Sequence, residues 1–149
     1  MTLEIAYLGA QSGYKSLVKT LGGAADAVHV EANPEALSQA LETAAGLLDA
    51  SMAVPISDAM IDAASNLKII SCATTGSDHI ACGSAEARGI AIHTLREDAD
   101  LLANLTPAAE LSWALLMAVA RNLPAAVAHA RAGNWQREDF PGTMINGRA

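Results

Sequence analysis

The turn Thr74–Ser77 is the best candidate for a site of chemistry, because small and polar residues there directly follow the apolar stretch Leu67–Ala73. Gly76 allows the backbone to approach a ligand closely. A helix is expected over Asp78–Arg88, and its N-terminus would favour a negatively charged group. A second apolar stretch, Ile90–Leu95, follows that helix. In open α/β sheets ligands bind outside the carboxyl ends of the strands, so we expect a ligand at this turn.

Other residues with reactive side chains have simpler structural explanations. Cys72 lies in an apolar stretch, where a buried thiol is inert. His79 has no carboxylate at a fixed sequence spacing that would orient it as an acid or base. The turn Gly9–Gly13 lacks the lysine of a phosphate loop and the glycine spacing of a dinucleotide loop. The remaining histidines fit no metal-binding spacing and are expected to be structural or surface residues: His29, His93 and His129. One functional hypothesis, called the third below, is a small stand-alone enzyme that uses Cys72 or His79.

Composition limits the class of protein. The 149 residues are 52% hydrophobic, enough for one domain, or one domain and part of another, with a real core. The net charge is −7 and the nine Lys and Arg are scattered, which argues against nucleic-acid binding. The longest apolar run, Trp113–Ala120, is too short to span a bilayer, so no membrane association is expected. Two cysteines without metal spacing and no recognisable signal sequence predict a cytoplasmic protein.

Residues 1–100 are predicted to form an α/β domain, a flavodoxin-like doubly wound parallel sheet of about five strands, because apolar segments alternate with helix signals. The strands are expected at Leu3–Leu8, Ala27–Glu31, a segment opening at Leu47-Leu48, Leu67–Ala73 and Ile90–Leu95. Between them, helices are expected at about Tyr14–Leu21, at Pro34–Ala45 with Asn33 as the N-cap, and from a cap at Ser57 through Ala64.

Residues 101–149 are expected to form a protruding helical segment. A helix capped by Thr106 should run from Pro107 to about Leu123, and its centre, Trp113–Ala120, is apolar on all sides. Such a helix must be buried, and the remaining residues are too few to cover it, so we expect a symmetric dimer. A shorter helix should restart at Pro124. The polar final stretch has no closing element, which we interpret as the end of a fragment.

Several motifs occur in one order along the chain: Asn66–Ile70, Thr75–Ile80, Ala87–Ile90 and Thr106–Leu116. They are followed by Gly133–Trp135, Phe140–Gly142 and Asn146–Arg148. The first three resemble the substrate-domain core of the D-isomer-specific 2-hydroxyacid dehydrogenases, which include phosphoglycerate, glycerate and formate dehydrogenases. The fourth is similar to that family's interdomain helix, and the last three resemble the lead-in to its nucleotide-binding domain.

The resemblance implies an oxidoreductase that uses NAD or NADP and acts on the CH–OH group of a small 2-hydroxy or 2-oxo acid. In the family the catalytic arginine, the glutamate–histidine pair and the dinucleotide loop belong to the half that would follow Arg148. No Gly-x-Gly-x-x-Gly occurs in these 149 residues. We therefore expect a truncated, substrate-binding portion that binds no cofactor and is inactive alone, and that pairs as a homodimer or with a nucleotide-binding domain.

The resemblance also implies the substrate contacts. Backbone N–H groups near Gly76 and Ser77, in the turn that includes Thr75, would hold the substrate carboxylate. Ser51 and Met52 match the family's second substrate loop, where many members carry an Arg-Ser pair. Because Ser51 stands in place of that arginine, an acid with a small uncharged tail is expected rather than a phosphorylated one. The alternative is a non-catalytic, truncated paralogue that acts as an oligomerisation or ligand-binding module.

Overall fold

A computed structural model describes residues 2–147. The chain divides into two compact units, the first ending at Leu102 and the second beginning at Ala103. The first unit contains a five-stranded parallel sheet with helices, which confirms the α/β fold class. Arg148, which closes the last of the motifs that resemble a known family, lies outside the described residues.

The sheet has the strand order β2-β1-β3-β4-β5, and every neighbouring pair is parallel. The chain order therefore reverses between β1 and β3, as in a flavodoxin-like sheet. The first strand matches its expected bounds, and the others differ from theirs by one to a few residues at the ends. The strands are β1 Leu3–Leu8, β2 Ala25–Val30, β3 Gly46–Asp49, β4 Ile69–Cys72 and β5 Ala91–Thr94.

Four α-helices lie wholly within the described part of the first unit, and the N-caps predicted for two of them are present. The Asn33 side chain accepts a hydrogen bond from the N–H of Ala36 at 2.8 Å. The Ser57 hydroxyl accepts one from the N–H of Met60 at 3.4 Å. These bonds satisfy backbone donors that a helix leaves free in its first turn. The helices are α1 Gln11–Leu21, α2 Pro34–Thr43, α3 Asp58–Ala63 and α4 Cys82–Ala87.

The predicted start of α4 was wrong: the helix begins at Cys82, not at Asp78. An extended bridge occupies the backbone that would form the first turn. The N–H of Ile56 donates to the carbonyl of His79 at 2.8 Å, and the N–H of Ala81 donates to the carbonyl of Ile56 at 2.9 Å. Asp78 is exposed and caps no helix, so a helix N-terminus does not supply the anion preference expected at this turn.

The core of the first unit lies between one face of the sheet and the helices α2, α3 and α4. Ala6 and Leu8 of β1 point into it, whereas Tyr7, between them, is buried outside this cluster and packs against Tyr14 of α1. Side chains alternate between the two faces of a strand, so α1 covers the opposite face from the other helices. The largest residues of the core cluster with almost no exposed surface are Leu8, Leu37, Leu41, Leu47, Ile56, Ile61 and Ile70.

The later part of the chain is helical, with α5 Ala99–Asn104, α6 Pro107–Ala120 and α7 Leu123–Arg131. The sequence predicted α6 and α7 but not α5. Thr106 occupies the N-cap position of α6, as predicted, but its hydroxyl donates to the carboxylate of Glu110 at 2.6 Å and makes no capping bond to an N–H group. Among the described residues, α6 buries no side chain, and Trp113 is 63% exposed.

One segment, Ala99–Ala120, is long and apolar enough to cross a membrane by length and composition alone, with a mean hydropathy of 1.3. It is interrupted between α5 and α6, and Pro107 begins the second helix. The absence of a membrane association therefore stays a prediction.

Candidate functional site

The two predicted turns leave the sheet side by side at its carboxyl edge. Asp49, the last residue of β3, is in register with Cys72, the last residue of β4. The N–H of Ala73 then donates to the carbonyl of Asp49 at 2.9 Å. Parallel strands end at the same edge, so the turn after β3 and the turn after β4 start next to each other.

The carboxylate of Asp49 organises this edge, and sequence reasoning missed it. The side chain is fully buried. Its Oδ1 accepts hydrogen bonds from the backbone N–H groups of Ser51 at 2.8 Å and Met52 at 3.0 Å, and from the Ser51 hydroxyl at 3.2 Å. Its Oδ2 lies 2.9 Å from Nε2 of His79. A buried carboxylate needs several donors, and these four groups provide them.

His79 is oriented by a carboxylate, contrary to the sequence-based expectation. The partner lies 30 residues earlier in the chain, which no local spacing rule would reveal. Because a carboxylate accepts but does not donate, Nε2 carries the proton in this pair. The other ring nitrogen, Nδ1, is buried and has no hydrogen-bond partner among residues 2–147. The His79 side chain is only 9% exposed.

The Ser51-Met52 turn does not offer its backbone N–H groups to a ligand. The N–H groups of both residues are taken by Asp49, and the N–H of Ala53 donates to the Ser51 hydroxyl at 3.1 Å. Met52 has a φ of 55°, a left-handed conformation that non-glycine residues adopt infrequently. Its side chain is 41% exposed. The backbone N–H groups of this turn are therefore not available to a ligand.

The turn after β4 has the opposite character. The Thr74 hydroxyl donates to the carbonyl of Gly76 at 3.1 Å, and the N–H of Ile80 donates to the carbonyl of Ser77 at 2.9 Å. Within the described part of the chain, the N–H groups of Thr75, Gly76 and Ser77 have no acceptor. Consecutive free N–H groups are typical of anion-binding turns, so anion binding here stays a prediction, now without the help of a helix N-terminus.

One charge opposes an anion at this turn. A Cβ atom placed on Gly76 would lie 3.5 Å from Oδ2 of Asp78 and meet no other atom within 4 Å. The space beside Gly76 is therefore open except for an exposed carboxylate. Neither turn, over residues 49–53 and 73–80, contains a Lys or Arg that would offset it.

Cys72 has the properties of an inert thiol. Burial, with smaller contributions from the nearby Asp49 and Cys82, raises the pKa of the thiol from 9.0 to about 11. A nucleophilic cysteine needs a lowered pKa, which favours the thiolate. Cys72 is therefore unsuited to the third hypothesis, an enzyme built on this residue.

The glycine-containing turn after β1 does not fit a dinucleotide. The Tyr7 hydroxyl donates to the carbonyl of Ala10 at 3.1 Å, and its ring occupies the space inside the turn. A Cβ on Gly13 would overlap that hydroxyl, and one on Gly9 would lie 2.7 Å from it. These glycines make room for the chain's own tyrosine, whereas dinucleotide loops use glycine to admit a pyrophosphate.

The fold and the paired turns define a class of protein, an α/β domain that presents a row of unpaired backbone N–H groups beyond the ends of β3 and β4. Residues 10–105 match the family described as "D-isomer specific 2-hydroxyacid dehydrogenase, catalytic domain". The chain belongs to this family, which confirms the resemblance found in the sequence.

Among curated proteins, the chain is 32% identical over 114 residues to D-3-phosphoglycerate dehydrogenase from Homo sapiens, covering 76% of this chain and 20% of that protein. It is 37% identical over 89 residues to D-3-phosphoglycerate dehydrogenase from Mycobacterium tuberculosis, covering 60% and 16%. The crystal structure of TT0316 protein from Thermus thermophilus superposes with a TM-score of 0.74 at 26% identity, covering 97% of this chain and 46% of that one. The chain thus spans about a fifth of the length of the curated relatives.

Proposed function

We propose that these residues form the substrate-binding portion of an NAD(P)-dependent D-2-hydroxyacid dehydrogenase, an oxidoreductase acting on the CH–OH group of a small acid. The observation that carries this proposal is the set of unpaired N–H groups at Thr75, Gly76 and Ser77, beside a carboxylate-anchored second turn. The substrate carboxylate accepts hydrogen bonds from these groups, which orients the acid at the edge of the sheet.

The charges around the site favour an acid with a small uncharged tail. Ser51 stands where many family members carry arginine, and Asp78 adds a negative charge on the other turn. A phosphorylated acid would bring further negative charge without meeting a cation on these turns. The substrate class therefore differs from the one that the name of the curated relatives, D-3-phosphoglycerate dehydrogenase, indicates for them.

In this proposal the chain binds and orients the acid but does not move a hydride alone. NAD or NADP, when bound, supplies the hydride chemistry, and the residues that hold it lie outside these 149. Tyr7 fills the Gly9–Gly13 turn after β1, which supports the proposal that the cofactor is held elsewhere. Hydride transfer should then require a nucleotide-binding domain, supplied in the same or another polypeptide.

The test is a titration of the ¹⁵N-labelled 149-residue chain with glyoxylate, pyruvate and phosphohydroxypyruvate, followed by amide NMR. We expect saturable shifts at Gly76 and Ser77 with the two uncharged-tail acids and weaker binding of the phosphorylated one. Adding NADH alone should give neither saturable binding nor turnover. Tighter binding of phosphohydroxypyruvate would overturn the assigned substrate class. Saturable NADH binding would overturn the proposal that residues outside this chain hold the cofactor.

A charge variant sharpens the test. Asp78→Asn removes the negative charge beside Gly76 and should tighten pyruvate binding roughly two- to five-fold, because like charges at short range repel. The matched control is Asp26→Asn, which changes the same charge at an exposed position near the start of β2, at the other edge of the sheet. Equal effects of the two variants would show that only the net charge matters.

We propose that the Trp113–Ala120 part of α6 forms a homodimer contact or pairs with a nucleotide-binding domain. The exposed apolar surface of this helix also favours the alternative role as an oligomerisation module. Leu111, Trp113 and Val119 are 60%, 63% and 78% exposed. Apolar surface left in water costs about 25 cal/mol per Å², which favours association.

Sedimentation equilibrium at micromolar concentration measures this association. The 149-residue chain should sediment as a dimer, and Trp113→Glu should shift it toward monomer because a charge would enter the apolar contact. Glu138→Ala, an exposed charge change on the same unit, is the control. A stable monomer would contradict the dimer. A stable dimer that binds no 2-oxo acid would favour the oligomerisation module over the substrate-binding role.

A further inference from the structure

We infer that the Asp49–His79 pair positions the anion-binding turn, so that His79 sets the affinity for the acid without touching it. The inference rests on the substrate-binding role proposed above. His79 follows the unpaired N–H groups by two residues, and its side chain is tied to a buried carboxylate on the neighbouring strand.

Asp49 holds the turn at both of its ends. Its backbone carbonyl accepts from the N–H of Ala73, before the turn, at 2.9 Å. Its Oδ2 pairs with Nε2 of His79, after the turn, also at 2.9 Å. Only the residues from Thr74 to Asp78 lie between these two attachments. A short segment fixed at both ends loses little conformational freedom when a ligand binds, which favours affinity.

Further bonds fix the exit of the turn on either side of His79. The N–H of Ile80 donates to the carbonyl of Ser77 at 2.9 Å, and the N–H of Ile56 donates to the carbonyl of His79 at 2.8 Å. These bonds set the path of the backbone, but among the described residues only the imidazole of His79 hydrogen-bonds the exit of the turn to the strand β3. Removing the imidazole should therefore loosen Gly76 and Ser77 while the rest of the edge stays in place.

The pair also couples the two turns of the site. One oxygen of Asp49 holds the N–H groups of Ser51 and Met52, and the other oxygen holds His79. A shift of the carboxylate would move both turns together. The geometry assigns His79 to positioning rather than to proton transfer, because Nε2 is committed to Asp49 and Nδ1 is buried.

The decisive experiment compares His79→Leu with His79→Gln. Leucine removes the donor to Asp49, whereas the glutamine amide can restore a donor near the position of Nε2. We expect His79→Leu to weaken pyruvate binding roughly ten-fold, measured on folded protein by amide NMR titration, and His79→Gln to recover most of it. The control is His93→Leu, which removes an exposed histidine paired with Glu97 at 3.1 Å in the same unit.

A second measurement needs no ligand. Amide hydrogen exchange at Ile80, whose N–H donates to the carbonyl of Ser77 in the turn, should speed up in His79→Leu and return toward the parent rate in His79→Gln. If His79→Leu does not fold, His79→Asn replaces it, since its shorter amide falls short of Asp49. A lower melting temperature with unchanged pyruvate affinity and unchanged exchange at Ile80 would overturn the inference. Absence of acid binding by the parent chain would overturn the proposed function, and the exchange rates would then still decide the positioning role.

Discussion

Oδ2 of Asp49 lies 2.9 Å from Nε2 of His79, and it joins the end of β3 to the exit of the turn after β4. The carboxylate is fully buried and takes four donors, of which two are backbone N–H groups. Burial of a carboxylate is costly unless its oxygens are paired. The edge that presents the unpaired N–H groups is therefore built around one satisfied negative charge.

The first prediction concerns the stability that Asp49 confers. Asp49→Ala leaves the N–H groups of Ser51 and Met52 and the Nε2–H of His79 without an acceptor. Unsatisfied buried donors of this kind cost about 3 kcal/mol in total, and we expect that loss in the free energy of unfolding. Urea denaturation followed by circular dichroism measures it.

Two companion variants isolate the cause. Asp49→Asn keeps an oxygen that can accept hydrogen bonds from Ser51 and Met52. This variant should therefore lower the free energy of unfolding clearly less than Asp49→Ala does. Asp62→Ala changes an exposed carboxylate and should alter stability by less than about 0.5 kcal/mol. Equal losses for Asp49→Ala and Asp62→Ala would refute the structural role of the buried carboxylate.

The fold was largely predictable because its signals are local. The strand β1 consists of hydrophobic residues apart from Glu4, and the caps at Asn33 and Ser57 depend on residues only three positions away. The start of α4 was not predictable in this way. Residues 77–81 are compatible with a helix locally, and the competing bridge to Ile56 lies about twenty residues earlier in the chain.

The candidate site was predictable only in part, for the same physical reason. A glycine next to polar residues after an apolar run marked the Thr75–Ser77 turn. No local sequence pattern predicts the Asp49–His79 contact, because the pairing of β3 with β4 brings these two residues together. One signal was present: an Asp at the end of an apolar strand is a charge that needs partners. Matching it with His79 required the strand order.

The second prediction follows from the pKa of the Cys72 thiol, which is raised from 9.0 to about 11, mainly by burial. The folded protein holds the thiol proton more tightly than the unfolded chain does. The contribution of the buried Cys72 thiol to the free energy of unfolding is therefore fully present below pH 9, and it is lost as the pH rises from 9 to 11. The difference in unfolding free energy between the parent and Cys72→Ala should fall across that interval and stay constant between pH 7 and 8.5. A difference that is flat from pH 7 to 11 would show that the thiol is not shielded.

The third prediction contrasts two glycines that have open space around them. Gly89 has a φ of 68° and follows α4, where the N–H of Ile90 donates to the carbonyl of Ala85 at 2.9 Å. This is a Schellman motif, which needs a left-handed residue. Gly83 lies inside α4 with no positive φ. We expect Gly89→Ala to lower stability by about 1 kcal/mol and Gly83→Ala to raise it by about 0.5 kcal/mol.

Thermal denaturation of the two glycine variants under identical conditions gives the sign of each change. Neither added methyl group meets an atom within 4 Å, so the comparison isolates backbone conformation from packing. Two changes of the same sign would mean that the backbone at Gly89 relaxes out of the left-handed region.

The last prediction tests whether the turn after β1 is filled by Tyr7. The tyrosine is 2% exposed, and a Cβ on Gly13 would overlap its hydroxyl. Gly13→Ala should therefore destabilise the protein by roughly 1–3 kcal/mol through overpacking. Tyr7→Phe removes the hydrogen bond to the carbonyl of Ala10 and should cost about 1 kcal/mol.

The double variant separates steric overlap from other effects. Without the hydroxyl, the alanine methyl group has more room, although Cζ of the ring would still lie 3.0 Å from it. Tyr7→Phe/Gly13→Ala should therefore be more stable than the sum of the two single losses by at least about 0.5 kcal/mol, as is usual for residues in contact. Additive losses in urea denaturation would mean that the ring does not occupy the turn, and the space between Gly9 and Gly13 would again be open to a phosphate. A positive coupling would fix the glycines of this turn as partners of Tyr7, and it would leave the turn after β4 as the site proposed for the anion.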